Sequence, residues 1–97
     1  METVILVVYD IRDDKLRLAV SKFLKKKGFT RIQKSVFVRD YDKGLFSSVE
    51  GGLRRIVKGW VNYDIQVFVI SRSSFNERIV ISEGYRLSEF ENEEFLI

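Results

Sequence analysis

Asp10 is the residue whose type and position best suit chemistry in this chain. It directly follows a short apolar run, Val4–Tyr9, and precedes Ile11. A carboxylate at the carboxyl end of a strand, just before a helix, is a common position for a metal ligand or a catalytic acid. It is also a position for a helix N-cap, although Asp13 and Asp14 are nearer candidates for that role. The residues alone leave both roles of Asp10 open.

The composition excludes several kinds of site. The 97 residues include no histidine and no cysteine, which rules out disulfides, Cys/His zinc sites and nucleophiles paired with histidine. A metal must therefore be bound by oxygen, which favours Mg²⁺ or Mn²⁺. One carboxylate is a weak metal site, so either further aspartates lie near Asp10 or two copies of Asp10 share one ion across a two-fold axis. The candidate neighbours are Asp13, Asp14, Asp40 and Asp42.

Arg17 and Arg31 are the candidate phosphate ligands, because a guanidinium matches two phosphate oxygens at once. For a single arginine, a solvated surface charge is the plainer interpretation. Phe37 suits stacking on a base, a dimer contact or core packing, and Ser35 shares its strand face. A basic group on the first predicted helix is a weak signal of nucleic-acid binding, and such a group is more often a solvated helix face. Its members are Lys22, Lys25, Lys26 and Lys27.

Charge is divided unevenly along the chain. The net charge is +3, but 5 of the 14 acidic residues and only 1 of the 17 basic residues lie after residue 82. The chain up to residue 82 is therefore positively charged and suited to a polyanion such as nucleic acid, although a soluble surface balanced by an acidic tail is the plainer alternative.

The N-terminal apolar run is too short for a membrane span, which predicts a cytoplasmic protein without a membrane partner.

Strand and helix patterns alternate around these residues. Runs of β-branched residues predict strands, and apolar residues at helical spacing predict two helices. In chain order the elements are strand Thr3–Tyr9, helix Asp13–Lys27, strand Arg31–Arg39, helix Leu45–Val57 and strand Tyr63–Ser71. The middle strand is expected to kink near Ser35 or to divide in two. Gly51 and Gly52 weaken the second helix, which is the plainer interpretation, or they allow the close approach of another backbone.

This order predicts an α+β fold, a ferredoxin-like α/β sandwich (βαββαβ) with both helices on one face of the sheet. Arg78–Ser82 is an extra C-terminal strand, which either extends its own sheet or pairs with a second copy in a homodimer. The domain covers residues 1–82. Residues 83–97 form an acidic and aromatic C-terminal tail, expected to dock on the dimer or on a partner. Its apolar residues are Phe90, Phe95, Leu96 and Ile97.

The motifs resemble a known family. Tyr9-Asp10-Ile11, a helix that ends in Lys25-Lys26-Lys27-Gly28-Phe29, and the segment Arg31-Ile32-Gln33-Lys34-Ser35-Val36-Phe37 are similar to the small CRISPR-associated adaptation proteins of the Cas two family. The later segment Phe75–Ile81 resembles the part that follows the last core strand in archaeal members. The resemblance extends over nearly the whole chain.

The resemblance implies a ferredoxin-like homodimer in which Asp10 of both subunits binds one Mg²⁺ or Mn²⁺ ion. It implies a metal-dependent endonuclease (endoribonuclease) acting on single-stranded RNA or double-stranded DNA, with Asp10, Arg17, Arg31 and Phe37 as its catalytic residues. It also implies a role in CRISPR adaptation (spacer acquisition), in which the dimer bridges subunits of the CRISPR integrase. Some relatives carry a further arginine where this chain has Ala19.

Hydrolysis of a phosphodiester in such a site would use the metal to lower the pKa of a bound water and the arginines to stabilise charge on the phosphate. The residues expected to bind nucleic acid are Arg17, Lys22, Lys25, Lys26, Arg31 and Ser35. Two alternatives stay open. One is a non-catalytic DNA-binding scaffold of the integrase complex, and the other is a toxin-type ribonuclease of the same fold.

Overall fold

The computed structural model describes residues 2–85. In chain order its elements are β1 Thr3–Ile11, α1 Asp14–Lys26, β2 Thr30–Gln33, β3 Val36–Asp40, α2 Lys43–Val57, β4 Tyr63–Ser71 and α3 Arg72–Asn76. The strands form one sheet in the order β2-β3-β1-β4, and all neighbouring strands are antiparallel. This confirms the predicted α+β class and the ferredoxin-like order of strands and helices.

Aspartates start both long helices. Asp13 Oδ1 accepts hydrogen bonds from the backbone N–H groups of Lys15 at 2.8 Å and Leu16 at 3.1 Å. Asp42 Oδ1 accepts one from Leu45 N at 2.9 Å. These bonds satisfy backbone donors that a helix leaves unpaired at its first turn. The N-cap role considered for Asp10 is therefore filled by Asp13.

One face of the sheet packs against α1 and α2 and forms the core; we call it the covered face. Alternate residues of β1 meet the apolar sides of both helices there. The buried cluster consists of Ile5, Val7, Tyr9, Ile11, Leu16, Val20, Leu24, Phe29, Phe37, Val49 and Leu53. Gly52 lets the helices pack closely, since a Cβ atom at this position would lie 2.2 Å from Phe23 Cζ. The close neighbour is the Phe23 side chain and not the backbone considered from the sequence.

The opposite face carries no long helix, and we call it the open face. The strand register assigns to it Leu6, Val8, Asp10, Val36, Val38, Asp64, Gln66, Phe68 and Ile70. Phe68 leaves 43% of its surface exposed. At the other end of this face α3 contacts β1 and β4, and Val4 is buried there. The open face is thus largely apolar, with a polar end that holds Asp10.

Of two local predictions, one is confirmed in one of its forms and the other is wrong in one of its forms. Residues 31–39 divide in two, as one of the alternatives predicted, because the chain reverses at Lys34 and Ser35 and the two halves pair as β2 and β3. This reversal explains why Ile32 and Phe37, which would lie on opposite faces of a single strand, are both apolar. Residues 78–82 form no strand within the described part of the chain, and Ile79–Ile81 are exposed. Since this segment pairs with no strand of its own sheet, pairing with a second copy stays a prediction.

The predicted tail is described only at its start. Tyr85 lies beside the β2–β3 turn, where its hydroxyl oxygen accepts a hydrogen bond from Lys34 N at 2.8 Å. The predicted docking of the tail concerns residues 86–97, which lie outside the described residues. Among residues 2–85, no helix has the length and apolar character needed to cross a membrane.

Candidate functional site

Asp10 lies at the polar end of the open face, directly opposite Asp64 on the neighbouring strand β4. Side chains opposed in this way project from the same face of a sheet, with Cβ atoms about 4.5–5.5 Å apart. Both aspartates are exposed. Two carboxylates so close repel each other, and a cation between them removes that cost. Carboxylate oxygens are the ligands that Mg²⁺ and Mn²⁺ prefer, so the donor chemistry fits the expected metal.

Asp64 is the residue that reasoning from the sequence missed. The motif Tyr-Asp-Ile occurs twice, at residues 9–11 and 63–65. The two copies face each other in antiparallel register, so their central aspartates meet. The repeated motif was the available signal, since an antiparallel pairing of the two segments centred on these motifs brings Asp10 and Asp64 together.

The other aspartates considered as neighbours of Asp10 have different roles. Asp13 caps α1, Asp14 forms an ion pair with Arg17, Asp40 forms one with Arg72, and Asp42 caps α2. Within residues 2–85, no group of three or more acidic side chains is placed to hold a metal ion. One chain therefore supplies two carboxylates to this site, and a two-fold axis beside Asp10 would double that number.

Arg17 holds the loop that follows Asp10. Its Nη1 donates hydrogen bonds to the carbonyl oxygens of Ile11 at 3.1 Å and Arg12 at 3.3 Å, and its Nη2 forms the ion pair with Asp14. Both terminal nitrogens of the guanidinium thus bind this chain. The geometry favours a positioning role for Arg17 over direct binding of a phosphate.

Three side chains pack behind Asp10 on the covered face. The Phe37 ring centroid lies 6.1 Å from that of Tyr9 and 5.2 Å from the guanidinium carbon of Arg31. The backbone N–H of Tyr9 also donates to the Ser35 carbonyl at 3.0 Å. These contacts fix the backbone of Tyr9, and a fixed backbone orients the side chain of the next residue, Asp10.

The full burial of Phe37 decides among the roles considered for it. The residue is 0% exposed, which leaves no ring surface for a base, so core packing is the role the structure shows. Arg31 is half-buried and pairs with Phe37 in the strand register, so it lies on the same covered face. The sheet therefore separates Asp10 from these two residues. Their assignment as catalytic residues stays a prediction. In the structure they pack behind the backbone that carries Asp10.

The lysines of α1 lie away from Asp10. Lys22 and Lys26 are exposed and Lys25 is half-buried. The helix begins just after β1 ends, so its axis leads away from the Asp10 end of the sheet. At about 1.5 Å per residue, Lys25 lies roughly 18 Å along the axis from the N-cap. Since these lysines lie far from Asp10, their assignment as nucleic-acid ligands stays a prediction.

Comparison with known proteins identifies the family. The family model for the CRISPR associated protein Cas2 matches residues 3–78. This chain belongs to the Cas2 family. It is 39% identical over 77 residues to the CRISPR-associated endoribonuclease Cas2 2 of Pyrobaculum aerophilum, a match that covers 79% of this chain and 84% of that protein. The resemblance carried by the motifs around Asp10 and Phe37 is thereby confirmed.

Two further comparisons bear on the partner and on the fold. A CRISPR-associated endonuclease Cas1/endonuclease Cas2 fusion of Thermoproteus tenax is 31% identical over 77 residues, covering 79% of this chain and 29% of that protein. A crystal structure of a cas2 protein superposes with a TM-score of 0.69 at 24% identity, covering 89% of this chain and 94% of that one. The second likeness shows that the family fold is the fold described above.

Proposed function

We propose that this chain is a metal-dependent endonuclease of CRISPR adaptation and that it acts as a homodimer. The observation that carries the proposal is the position of Asp10, exposed beside Asp64 at the end of an apolar open face, in a chain of the Cas2 family. The Pyrobaculum relative is named an endoribonuclease. The expected substrate is single-stranded RNA or double-stranded DNA, and a substrate inside the cell agrees with the predicted cytoplasmic location.

The open face supports the homodimer. Leu6, Val38 and Phe68 lie side by side on its three adjacent strands. Soluble proteins seldom leave a continuous apolar patch uncovered, and a sheet buries its apolar face against another layer. A two-fold axis would bring the same patch of a second chain onto it, and a residue near the axis then faces its own copy. Such a dimer can bring both copies of Asp10 and Asp64 into one site.

The exposed segment Ile79–Ile81 and strand β4 give a second line of support. β4 is an edge strand, and edges present backbone groups that invite a further strand. The segment is β-branched, and Ile81 is 93% exposed. Pairing of this segment with β4 of a second chain would cover both features at once. The predicted extra strand would then form between the two chains.

Each residue around Asp10 would have its own role in hydrolysis. Asp10, with Asp64, would hold the ion, and a bound Mg²⁺ would stabilise negative charge on the phosphate and acidify a water. Arg17 keeps the loop after Asp10 in place, and the packing of Tyr9 on Phe37 keeps the strand before it in place. Both contacts preorganise the carboxylate, which reduces the cost of binding the ion.

Cleavage assays test the proposal. Labelled single-stranded RNA and duplex DNA are incubated with the protein and Mg²⁺, Mn²⁺ or EDTA. We expect cleavage only with metal, and a loss of more than about 100-fold in Asp10→Asn, beyond the cost typical of changes around a metal ligand. Glu77→Gln, which removes the same charge just after α3, should cleave at the wild-type rate. An Asp10→Asn protein that cleaves as fast as wild type would overturn the proposal.

Mixed dimers test whether the two chains share one ion. Equal amounts of wild-type and Asp10→Asn chains, after subunit exchange, leave about a quarter of the dimers with two wild-type chains. If both copies of Asp10 hold one ion, activity should fall to about that quarter. Activity of one half would mean that each chain works alone, and the shared site would be excluded.

The second candidate function is a non-catalytic DNA-binding scaffold of the integrase complex. The Cas1/Cas2 fusion of Thermoproteus tenax supports a Cas1-type partner for this chain. In a spacer-acquisition assay, the scaffold function predicts that Asp10→Asn retains full activity and that a variant unable to dimerise loses it. The toxin-type ribonuclease has no comparable observation in its favour.

A further inference from the structure

The loop between α2 and β4 presents a tryptophan at the Asp10 end of the sheet. Trp60 is 38% exposed and its neighbour Val61 is 71% exposed. The strand register pairs Ile11 with Tyr63, and Arg12 N donates a hydrogen bond to the Asn62 carbonyl at 3.3 Å. This loop is therefore joined to the backbone that directly follows Asp10.

The distance from Trp60 to the aspartates is limited by the chain itself. Trp60 precedes Asp64 by four residues, and four extended residues span at most about 14 Å. Asp64 is the direct cross-strand neighbour of Asp10. The backbone of Trp60 therefore lies within about 14 Å of that of Asp64, a distance that a few nucleotides of a polynucleotide can span.

The loop holds Trp60 in a defined position. Gly59 has φ 85° and Asn62 has φ 60°, so both sit in the left-handed region. Trp60 N also donates to the Val57 carbonyl at 2.9 Å. Glycine and asparagine adopt this region readily, and the backbone hydrogen bonds of Trp60 N and of the Asn62 carbonyl fix the loop in it. An exposed aromatic ring on such a loop costs little ordering entropy when a ligand binds.

Basic residues accompany the tryptophan. Arg55 and Lys58 lie just before it in the chain, and the backbone N–H of Arg12 is hydrogen-bonded to the Asn62 carbonyl of the same loop. All three basic side chains are exposed. An aromatic ring beside basic side chains is the combination that binds single-stranded nucleic acid, because bases stack on the ring and the cations contact phosphates. In a duplex each base face is covered by a neighbouring base, which leaves no face for the ring.

We propose that Trp60 is a base-stacking site that positions a single-stranded polynucleotide, RNA or DNA, beside Asp10. The inference rests on the proposed function for the identity of the reacting phosphate. The binding step is separate from cleavage and can be measured without it.

Tryptophan fluorescence gives a direct test, because the chain contains one tryptophan. The full-length Asp10→Asn protein is titrated with single-stranded RNA, single-stranded DNA and duplex DNA, and binding is followed in parallel by the anisotropy of a label on the nucleic acid. We expect saturable quenching by both single strands and none by the duplex. Single strands that bind by anisotropy without quenching Trp60 would overturn the inference.

Variants in the same background measure the contribution of the ring. Trp60→Ala should raise the Kd for a single strand by about 5- to 150-fold, the range of one stacked base, and leave the Kd for the duplex unchanged. Trp60→Phe should recover part of the loss, and Val61→Ala should bind like the parent. A Trp60→Ala protein with an unchanged Kd, or with an altered mass in solution, would overturn the inference, since the second result makes the loop a protein interface.

The failure of this inference can be told apart from the failure of the proposed function. If the wild-type protein cleaves nothing with Mg²⁺ while single strands still quench Trp60, the nuclease proposal fails and the stacking site stands. If the wild-type protein cleaves single strands and Trp60→Ala cleaves and binds them equally well, the stacking site fails and the nuclease stands.

Discussion

The two faces of the sheet carry similar apolar residues in very different surroundings. Phe37 pairs with Val7 on the covered face and is 0% exposed, whereas Phe68 pairs with Leu6 on the open face and is 43% exposed. The covered face is completed by the helices of the same chain. The open face has no such layer, so it is the face available to a second molecule.

Neighbouring residues of β1 link the two faces. Tyr9 points into the covered face, where it packs on Phe37, and Asp10 points out of the open face beside Asp64. The rigid packing on one side therefore sets the position of the carboxylate on the other. Two contributions can therefore be tested separately, the stability that the covered face supplies and the association and metal binding proposed for the open face.

The largest expected effect is the loss of Phe37. Phe37→Ala removes a fully buried ring from the centre of the core and should lower the free energy of unfolding by about 3–5 kcal/mol. Phe68→Ala, the same change on the open face, should cost the isolated chain about 1 kcal/mol or less. Urea unfolding at several protein concentrations distinguishes folding from association. Equal losses for the two variants would mean that the faces do not differ.

The next effect concerns association. Phe68→Asp places a charge on the open face and should raise the Kd of the proposed homodimer by at least about 100-fold, or about 2.8 kcal/mol, because the charge would be buried without a partner. Val69→Asp is the matched control, since Val69 is the adjacent residue of β4, 47% exposed and directed to the other face. Light scattering over a concentration series gives both constants. An unchanged Kd for Phe68→Asp would show that the dimer interface does not include this part of the open face.

A substitution at the close contact between the two helices should lower the free energy of unfolding by a smaller amount. Gly52→Ala brings a methyl group into the Phe23 ring and should cost about 1–2 kcal/mol, after the better helix propensity of alanine is included. Gly51→Ala is the control in the same helix, because the nearest atom to its Cβ is Arg55 Nη1 at 3.5 Å, an ordinary contact. It should stabilise the chain by up to about 1 kcal/mol. Thermal unfolding compares the two, and a stabilised Gly52→Ala would contradict the close contact.

The fold could be predicted because its signals are local. The cap at Asp13, the chain reversal at Gly28 and the change from β-branched runs to helical spacing each act within a few residues. The β2–β3 hairpin was harder to predict, because its turn is formed by Lys34 and Ser35 and includes no glycine or proline. The sequence predicted a strand at residues 78–82 and could not indicate whether its own sheet would pair with it; within residues 2–85 the sheet does not.

The candidate site was only partly predictable, because it depends on contacts between distant segments. Asp10 could be proposed from its place after an apolar run. Asp64 could not be joined to it without the register of β1 with β4, and the side of the sheet on which Phe37 and Arg31 lie also follows from register. A shift of one residue in either pairing would exchange the faces.

The smallest expected effect tests the two opposed carboxylates, and it has two parts of opposite sign. Asp64→Asn removes the repulsion with Asp10 and should stabilise the metal-free protein by up to about 1 kcal/mol. The same change should weaken Mg²⁺ binding by about 10- to 100-fold if Asp64 helps to hold the ion. Unfolding in EDTA measures the first part and calorimetric Mg²⁺ titration the second, with Glu77→Gln as a control that should change neither. Increased stability with unchanged Mg²⁺ affinity would leave Asp10 and its copy across the two-fold axis as the ligands, and would show that the open face places Asp64 beside the ion without using it.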